Sequence, residues 1–184
     1  MRHLKRTAKL GRKSDHRNMM LSNLVSSLIK HRRVRTTLAK AKAAQRVAER
    51  MVTLGKRGNA AAAAATSADD KGKVVKLAEN VHCRRLVAAR LHQHARSLFP
   101  SKEDRLKWRD SEDVVHILFD KIAPVYRDRS GGYTRIVKLA TPRRGDAGEQ
   151  AILEFVDLPA EIAGGSAIPA AAEATASTAE AAKS

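Results

Sequence analysis

Aromatic residues make up only 3% of this 184-residue chain, with one Trp, two Tyr and three Phe. A core built from it must therefore be aliphatic, and stacking of bases on aromatic rings is excluded as a main mode of binding. Cysteine is nearly absent: the lone Cys83 rules out an internal disulfide and a four-cysteine zinc site. Nothing demands an oxidising compartment. No apolar run approaches the length needed to span a bilayer. The opening MRHLKRTAKLGRKSDHR is basic, but no apolar run of signal-peptide type follows it. An arginine-rich, acid-poor start is shared by transit peptides, and cytoplasm is the default expectation.

Acids are scarce where bases are dense. The chain carries 36 Lys+Arg against 19 Asp+Glu, a formal +17. Residues 1–57 hold 17 of those bases and only two acids, Asp15 and Glu49, a net +15. Residues 58–184 hold 19 bases and 17 acids, a net +2. A merely solvated surface mixes its signs, whereas a basic segment joined to a nearly neutral body suggests a nucleic-acid arm. Each Lys or Arg on a phosphate releases a condensed counterion, so nucleic acid is the natural partner. With few aromatics, phosphate contacts and shape readout are the expected means.

One domain is expected at this length. Residues 1–17 read as an extended basic arm, too polar to offset its own ordering entropy before it meets RNA. A helix follows over about Asp15 to His31, capped by Ser14 or Asp15, with Met20, Leu21, Leu24, Val25, Leu28 and Ile29 as one apolar stripe. Val34 to Thr37 favours a short extended piece. Thr37 can cap a second helix, about Leu38 to Lys56. Six consecutive Ala and bracketing glycines at Gly55, Gly58 and Gly72 mark residues 58–73 as a flexible insertion. Helical spacing returns from Val74 to Leu98 with a slip near His82 to Arg85, and Pro100 ends it. Asp104 to Asp110 reads as a charged connector, and Ser111 to Asp113 as a helix start for Val114, Val115, Leu118, Ile122 and Val125. Tyr133 to Leu139 and Ala151 to Leu158 read as a β-hairpin after a Gly131-Gly132 turn. Residues 159–184 form an Ala-rich low-complexity tail, expected to be disordered. The fold class is α+β, helices packed on a small sheet, with the single domain over 18–158.

Several constellations invite an enzymatic reading and fail it. Ser14-Asp15-His16 has triad residue types, but neighbouring residues cannot form one relay, and helix capping explains them. His82, Cys83, His92 and His94 match no usual zinc spacing, so an ordinary helix surface is the better account. Gly131-Gly132-Tyr133-Thr134-Arg135 resembles a phosphate-cradling turn, although two glycines also simply make a turn. No P-loop or dinucleotide fingerprint is present. The densest signal is Lys30 to Lys56. There Lys30, Arg32, Arg33 and Arg35 meet a helix N-terminus, Thr36 and Thr37 add hydroxyls, and Lys40, Lys42 and Arg46 continue the positive surface.

At these residues the chain resembles the bacterial large-subunit ribosomal protein L17 family. Three stretches carry the resemblance: MRH with the basic arm and HRNMMLSNLVSSLIKH; VRTTLAKAKAAQRVAERMVTLGK with its T-T-x-x-K-A-K core; and DRSGGYTRIVKL followed by AILEFVDL. The match covers roughly residues 1–57 and 74–158. It departs at residues 58–73, near Pro100 to Asp110, and after Pro159. The resemblance implies a structural constituent of the large ribosomal subunit that binds 23S rRNA near the exit of the nascent-chain tunnel, beside neighbouring large-subunit proteins. It implies RNA-facing residues in the arm (Arg2, His3, Lys5, Arg6, Lys9, Arg12, Lys13, His16 and Arg17), from Arg32 to Lys42, and at Arg129, Gly131, Gly132, Tyr133, Thr134 and Arg135.

Two other classes compete. A nucleoid-type DNA-compacting protein suits the Lys/Ala-rich composition, but such proteins often have basic tails, and this tail sets Lys183 against Glu161, Glu173 and Glu180. A nucleic-acid enzyme needs a carboxylate cluster for metal, and residues 1–57 offer only two acids. The reading is therefore a non-enzyme, with no cofactor, no metal, no small-molecule substrate, no membrane and no homo-oligomer expected.

Overall fold

The computed structural model describes residues 8–66, 70–92 and 101–159. Residues 1–7 of the expected arm, with Arg2, His3, Lys5 and Arg6, and nearly all of the expected disordered tail lie outside the described residues. Helix α1 spans Ser14–His31, strand β1 Arg33–Thr37, helix α2 Leu38–Thr66 and helix α3 Asp70–Leu91. Helix α4 spans Lys102–Ser111, and the short α5, Val114–His116, runs into a π-helical turn over Ile117–Ile122. Strands β2, Thr134–Lys138, and β3, Gln150–Phe155, complete the chain.

The apolar stripe of α1 forms as expected. Leu21, Val25, Leu28 and Ile29 are buried, and they meet Ala41, Ala44, Ala48, Met51 and Val52 of α2 in one core. The start of α1 differs from expectation. Lys13 is its N-cap and offers no side-chain bond, while Ser14 Oγ donates to Asp15 Oδ1 at 3.3 Å. The arm therefore stops before Ser14, and Arg17 belongs to the first turn of the helix. Asp15 still sits where the helix dipole favours an acid.

Residues 58–66, expected as part of a flexible insertion, are helical. Helix α2 continues unbroken through Gly55, Gly58 and the Ala run to Thr66, and α3 begins at Asp70. The glycines are packing residues. A Cβ at Gly58 would lie 2.7 Å from the Phe119 ring and 3.2 Å from Cys83 Cβ, and one at Gly55 would lie 3.0 Å from Ala123 Cβ. Bare backbone lets α2 run against both α3 and the π-helical turn. Asn59 Nδ2 donates to the Phe119 carbonyl, and Asn80 Nδ2 to the Gly58 carbonyl at 2.7 Å.

The expected slip near His82 does not interrupt α3, which is one helix with Cys83 and Val87 buried. Residues 104–110 are helical rather than a connector: Ser101 Oγ accepts from the Glu103 N–H and caps α4, which buries none of its residues. Asp113, not Ser111, caps the next element, its Oδ1 accepting from the N–H groups of Val115 and His116.

The sheet order is β1-β3-β2, all antiparallel. The expected hairpin is β2 and β3, and the extended piece after α1 becomes the third strand. Val34, Ile136, Leu153 and Ala151 lie on the face toward the helices, where Leu153 and Ala151 are fully buried. The other face is not covered by any element among the described residues.

Candidate nucleic-acid interface

Strand alternation sets the polarity of the sheet. Arg33, Arg35 and Thr37 share one face with Glu154, Ile152 and Gln150 of β3 and with Arg135 and Val137 of β2. The register puts Arg33 and Arg135 on either side of Glu154. Arg135 Nε donates to Glu154 Oε1 at 2.6 Å, and Arg33 Nη2 lies 3.7 Å from Glu154 Oε2. Arg35 Nε donates to Gln150 Oε1 at 2.7 Å. Three guanidiniums are thus held on one open face against a single carboxylate. Each guanidinium has five N–H donors in a planar fork, so the one donor that Arg135 gives Glu154, or Arg35 gives Gln150, leaves others to meet phosphate oxygens. Holding the fork in place lowers the entropy that binding must otherwise remove.

The corner between α1 and β1 is tighter than the sequence suggests. Arg32 adopts a left-handed conformation, φ 65°, and its N–H closes the helix on the Leu28 carbonyl at 2.8 Å. Its Nη1 donates to the Ile29 carbonyl, and burial pulls its pKa below the ordinary arginine value. Arg32 therefore caps a helix as well as carrying charge. Lys30 pairs with Glu112 at 3.5 Å. Of the arm, Lys9, Lys13 and His16 are exposed, and Arg12 Nε reaches His16 Nε2 at 3.4 Å. Lys42 and Arg46 are exposed on α2, while Lys40, Thr36 and Thr37 are half-buried.

The turn at Gly131-Gly132 is exposed and Gly132 has φ +65°. It does not stand open as a cradle, because Arg129 Nε donates to the Gly131 carbonyl at 3.0 Å and Arg129 Nη1 pairs with Asp157 at 2.7 Å. Tyr133 and Thr134 are buried. Glu49 Oε1 accepts from the Thr134 N–H and hydroxyl, and Glu49 Oε2 from the Tyr133 N–H at 3.2 Å. The Tyr133 hydroxyl accepts from Lys56 Nζ at 3.2 Å. These two residues hold the strand to α2, and the accessible part of the segment is Arg129, the glycines and Arg135.

Sequence reasoning missed Glu154 and Glu49, the two acids that organise the basic surface. Glu154 was readable in principle, since alternation in RVRTT and QAILEF places it on the arginine face once the strands are paired. Glu49 could not be placed without the tertiary fold. Cys83 is buried against Gly58, which pushes its thiol pKa up and takes it away from ligand chemistry. Among the described residues no helix is long and apolar enough to cross a membrane.

A model of the family described as ribosomal protein L17 matches residues 20–156. The chain is 42% identical over 149 residues to the large ribosomal subunit protein bL17 of Finegoldia magna, covering 81% of this chain and 83% of that protein. It is 43% identical over 148 residues to bL17 of Alkaliphilus metalliredigens, covering 80% and 96%. Against bL17 of Akkermansia muciniphila the identity is 39% over 176 residues, covering 96% of this chain and all of the relative. By these matches the chain belongs to the ribosomal protein L17 family, as a structural protein and not an enzyme.

Proposed function

We propose that this chain is built into the large ribosomal subunit in the cytoplasm, where it binds 23S rRNA near the exit of the nascent-chain tunnel. The observation that carries RNA binding is the open sheet face, with Arg33 and Arg135 flanking Glu154 and Arg35 bonded to Gln150. Lys42 and Arg46 on α2, and Lys9 and Lys13 on the arm, are further exposed cations. Such a surface grips an A-form backbone by phosphate contacts and shape, with no base-specific geometry. The family resemblance alone supports the site at the tunnel exit and the neighbouring large-subunit proteins as further partners. Membership of a ribosomal family weighs against the DNA-compacting alternative, which only the Lys/Ala-rich composition supports.

The test is sedimentation. A tagged full-length protein expressed in a bacterial host should co-sediment with large subunits on a sucrose gradient at low salt. If it stays in the free fraction while other ribosomal proteins sediment, the proposal is wrong.

A further inference from the structure

Between α2 and α3 lies a groove of about 430 Å³, floored by Val47, Met51, Leu54 and Leu86 and rimmed by Arg46, Arg50 and Arg90. No carboxylate lines it. Met51 is buried and Leu86 is 43% exposed, so the floor is apolar and open to solvent. Neither Arg50 nor Arg90 pairs with an acid among the described residues. A second cavity, lined by Arg84, Arg109, His116 and Trp108 among others, is different. There Arg84 pairs with Asp120 at 3.0 Å and Arg109 with Asp110 at 3.2 Å, and Asp113 is part of the lining, so carboxylates offset part of its positive charge.

We propose that the α2–α3 groove seats one unstacked nucleotide of the bound rRNA, the base lying on Met51, Leu54 and Leu86 and the flanking phosphates on Arg50 and Arg90. The inference rests on the RNA-binding reading above and adds to it a place where a base is held. Three considerations select this occupant. The volume falls in the range of small-ligand pockets, and one nucleotide is a ligand of that class. An apolar floor under guanidinium planes suits the two sides of a nucleotide, a flat apolar face and an anionic edge. The groove also opens beside Arg46, so a strand that follows the basic side of α2 reaches it without leaving the positive surface. An apolar protein segment would gain from the floor but not from an all-cationic rim.

The probe is 23S rRNA transcript with full-length protein at low salt, read by dimethyl sulfate reactivity of single-stranded adenines and cytosines and by binding affinity. The wild-type protein should protect one or two unpaired bases. Leu86→Glu places a carboxylate on the exposed edge of the groove, where melting should stay unchanged. It should restore reactivity at those bases and weaken binding severalfold, since a carboxylate there also repels the flanking phosphates. Arg50→Gln with Arg90→Gln should lower the salt slope of binding by about 1.4, two single-strand phosphates at about 0.7 each. Unchanged base protection in both variants, with wild-type binding intact, overturns the groove proposal alone. No wild-type binding overturns the RNA-binding reading with it. Loss of incorporation into subunits with rRNA protections unchanged would mean that the groove holds a protein neighbour, which also overturns it.

Discussion

Glu49 and Thr134, one on α2 and one at the start of β2, are joined twice: Glu49 Oε1 accepts from the Thr134 backbone N–H at 2.9 Å and from its hydroxyl at 2.8 Å. The second carboxylate oxygen takes the Tyr133 N–H. One acid in the basic third of the chain thus satisfies two backbone donors where the chain enters the sheet. Glu49→Ala would leave buried N–H groups without partners, and each such group costs about 1–3 kcal/mol. We expect a loss of about 3 kcal/mol for Glu49→Ala and clearly less for Glu49→Gln, which keeps an acceptor. Urea denaturation of the two variants measures the difference. Equal stabilities would mean that the carboxylate does not anchor β2.

Gly58→Ala is predicted to destabilise, although alanine is the better helix former by about 1 kcal/mol. A Cβ there would meet the buried Phe119 ring at 2.7 Å and the Cys83 Cβ at 3.2 Å. Phe119 is fully buried, so it cannot swing away, and overpacking of this kind costs about 1–3 kcal/mol. The clash should win, with a net loss of about 1 kcal/mol or more on thermal melting. A gain in stability would show that α2 and the π-helical turn can separate.

Alkaline pH should unfold the protein through Tyr126. Its hydroxyl donates to the Val156 carbonyl and its ring is buried beside Tyr133 and Phe155. Burial pushes its pKa up to about 12 from an ordinary 10. Below pH 10 both folded and unfolded forms are protonated, and the stabilising contribution is fully present. As pH rises from 10 to 12 the unfolded form loses the proton first, so that contribution is lost. Melting temperatures of wild type and Tyr126→Phe should converge over this window, with the wild type falling faster. Parallel curves would contradict it.

Salt titration tests the sheet face. Arg35→Gln with Arg135→Gln removes two of its guanidiniums at exposed positions. The log–log slope of rRNA binding should flatten by about 1.4–1.8, at about 0.7–0.9 per phosphate. Circular dichroism should show no change of fold. An unchanged slope would move the RNA contact elsewhere on the basic third.

The parts legible in the sequence were those with a strong local signal. The stripe of α1, the β-branched Val34 to Thr37 and the two later strands all formed, because periodicity and side-chain shape act over a few residues. Helix α4 was missed because it buries nothing and so has no apolar period to read. The Ala run was misread because Gly55 and Gly58 look like breakers in one dimension and are close-approach residues in three. At Gly131 to Arg135 the residue types suggested anion binding, yet Tyr133 and Thr134 turn inward to Glu49, a partner more than eighty residues away. Pairings of that span leave no mark on local pattern.

The central strand of the sheet is also the last strand to be synthesised. With the order β1-β3-β2, Arg33 and Arg135 have no common neighbour until Glu154 exists. The contacts of α1 with α2 lie within the first half of the chain and can form early during synthesis, as local elements generally do. The sheet cannot follow until residue 155 has left the ribosome that is making it. A nascent chain therefore presents β1 as an unpaired, arginine-rich edge through most of its synthesis. The ordered arginine surface matures only at the end, so a truncated product lacking β3 carries Arg33, Arg35 and Arg135 without their arrangement.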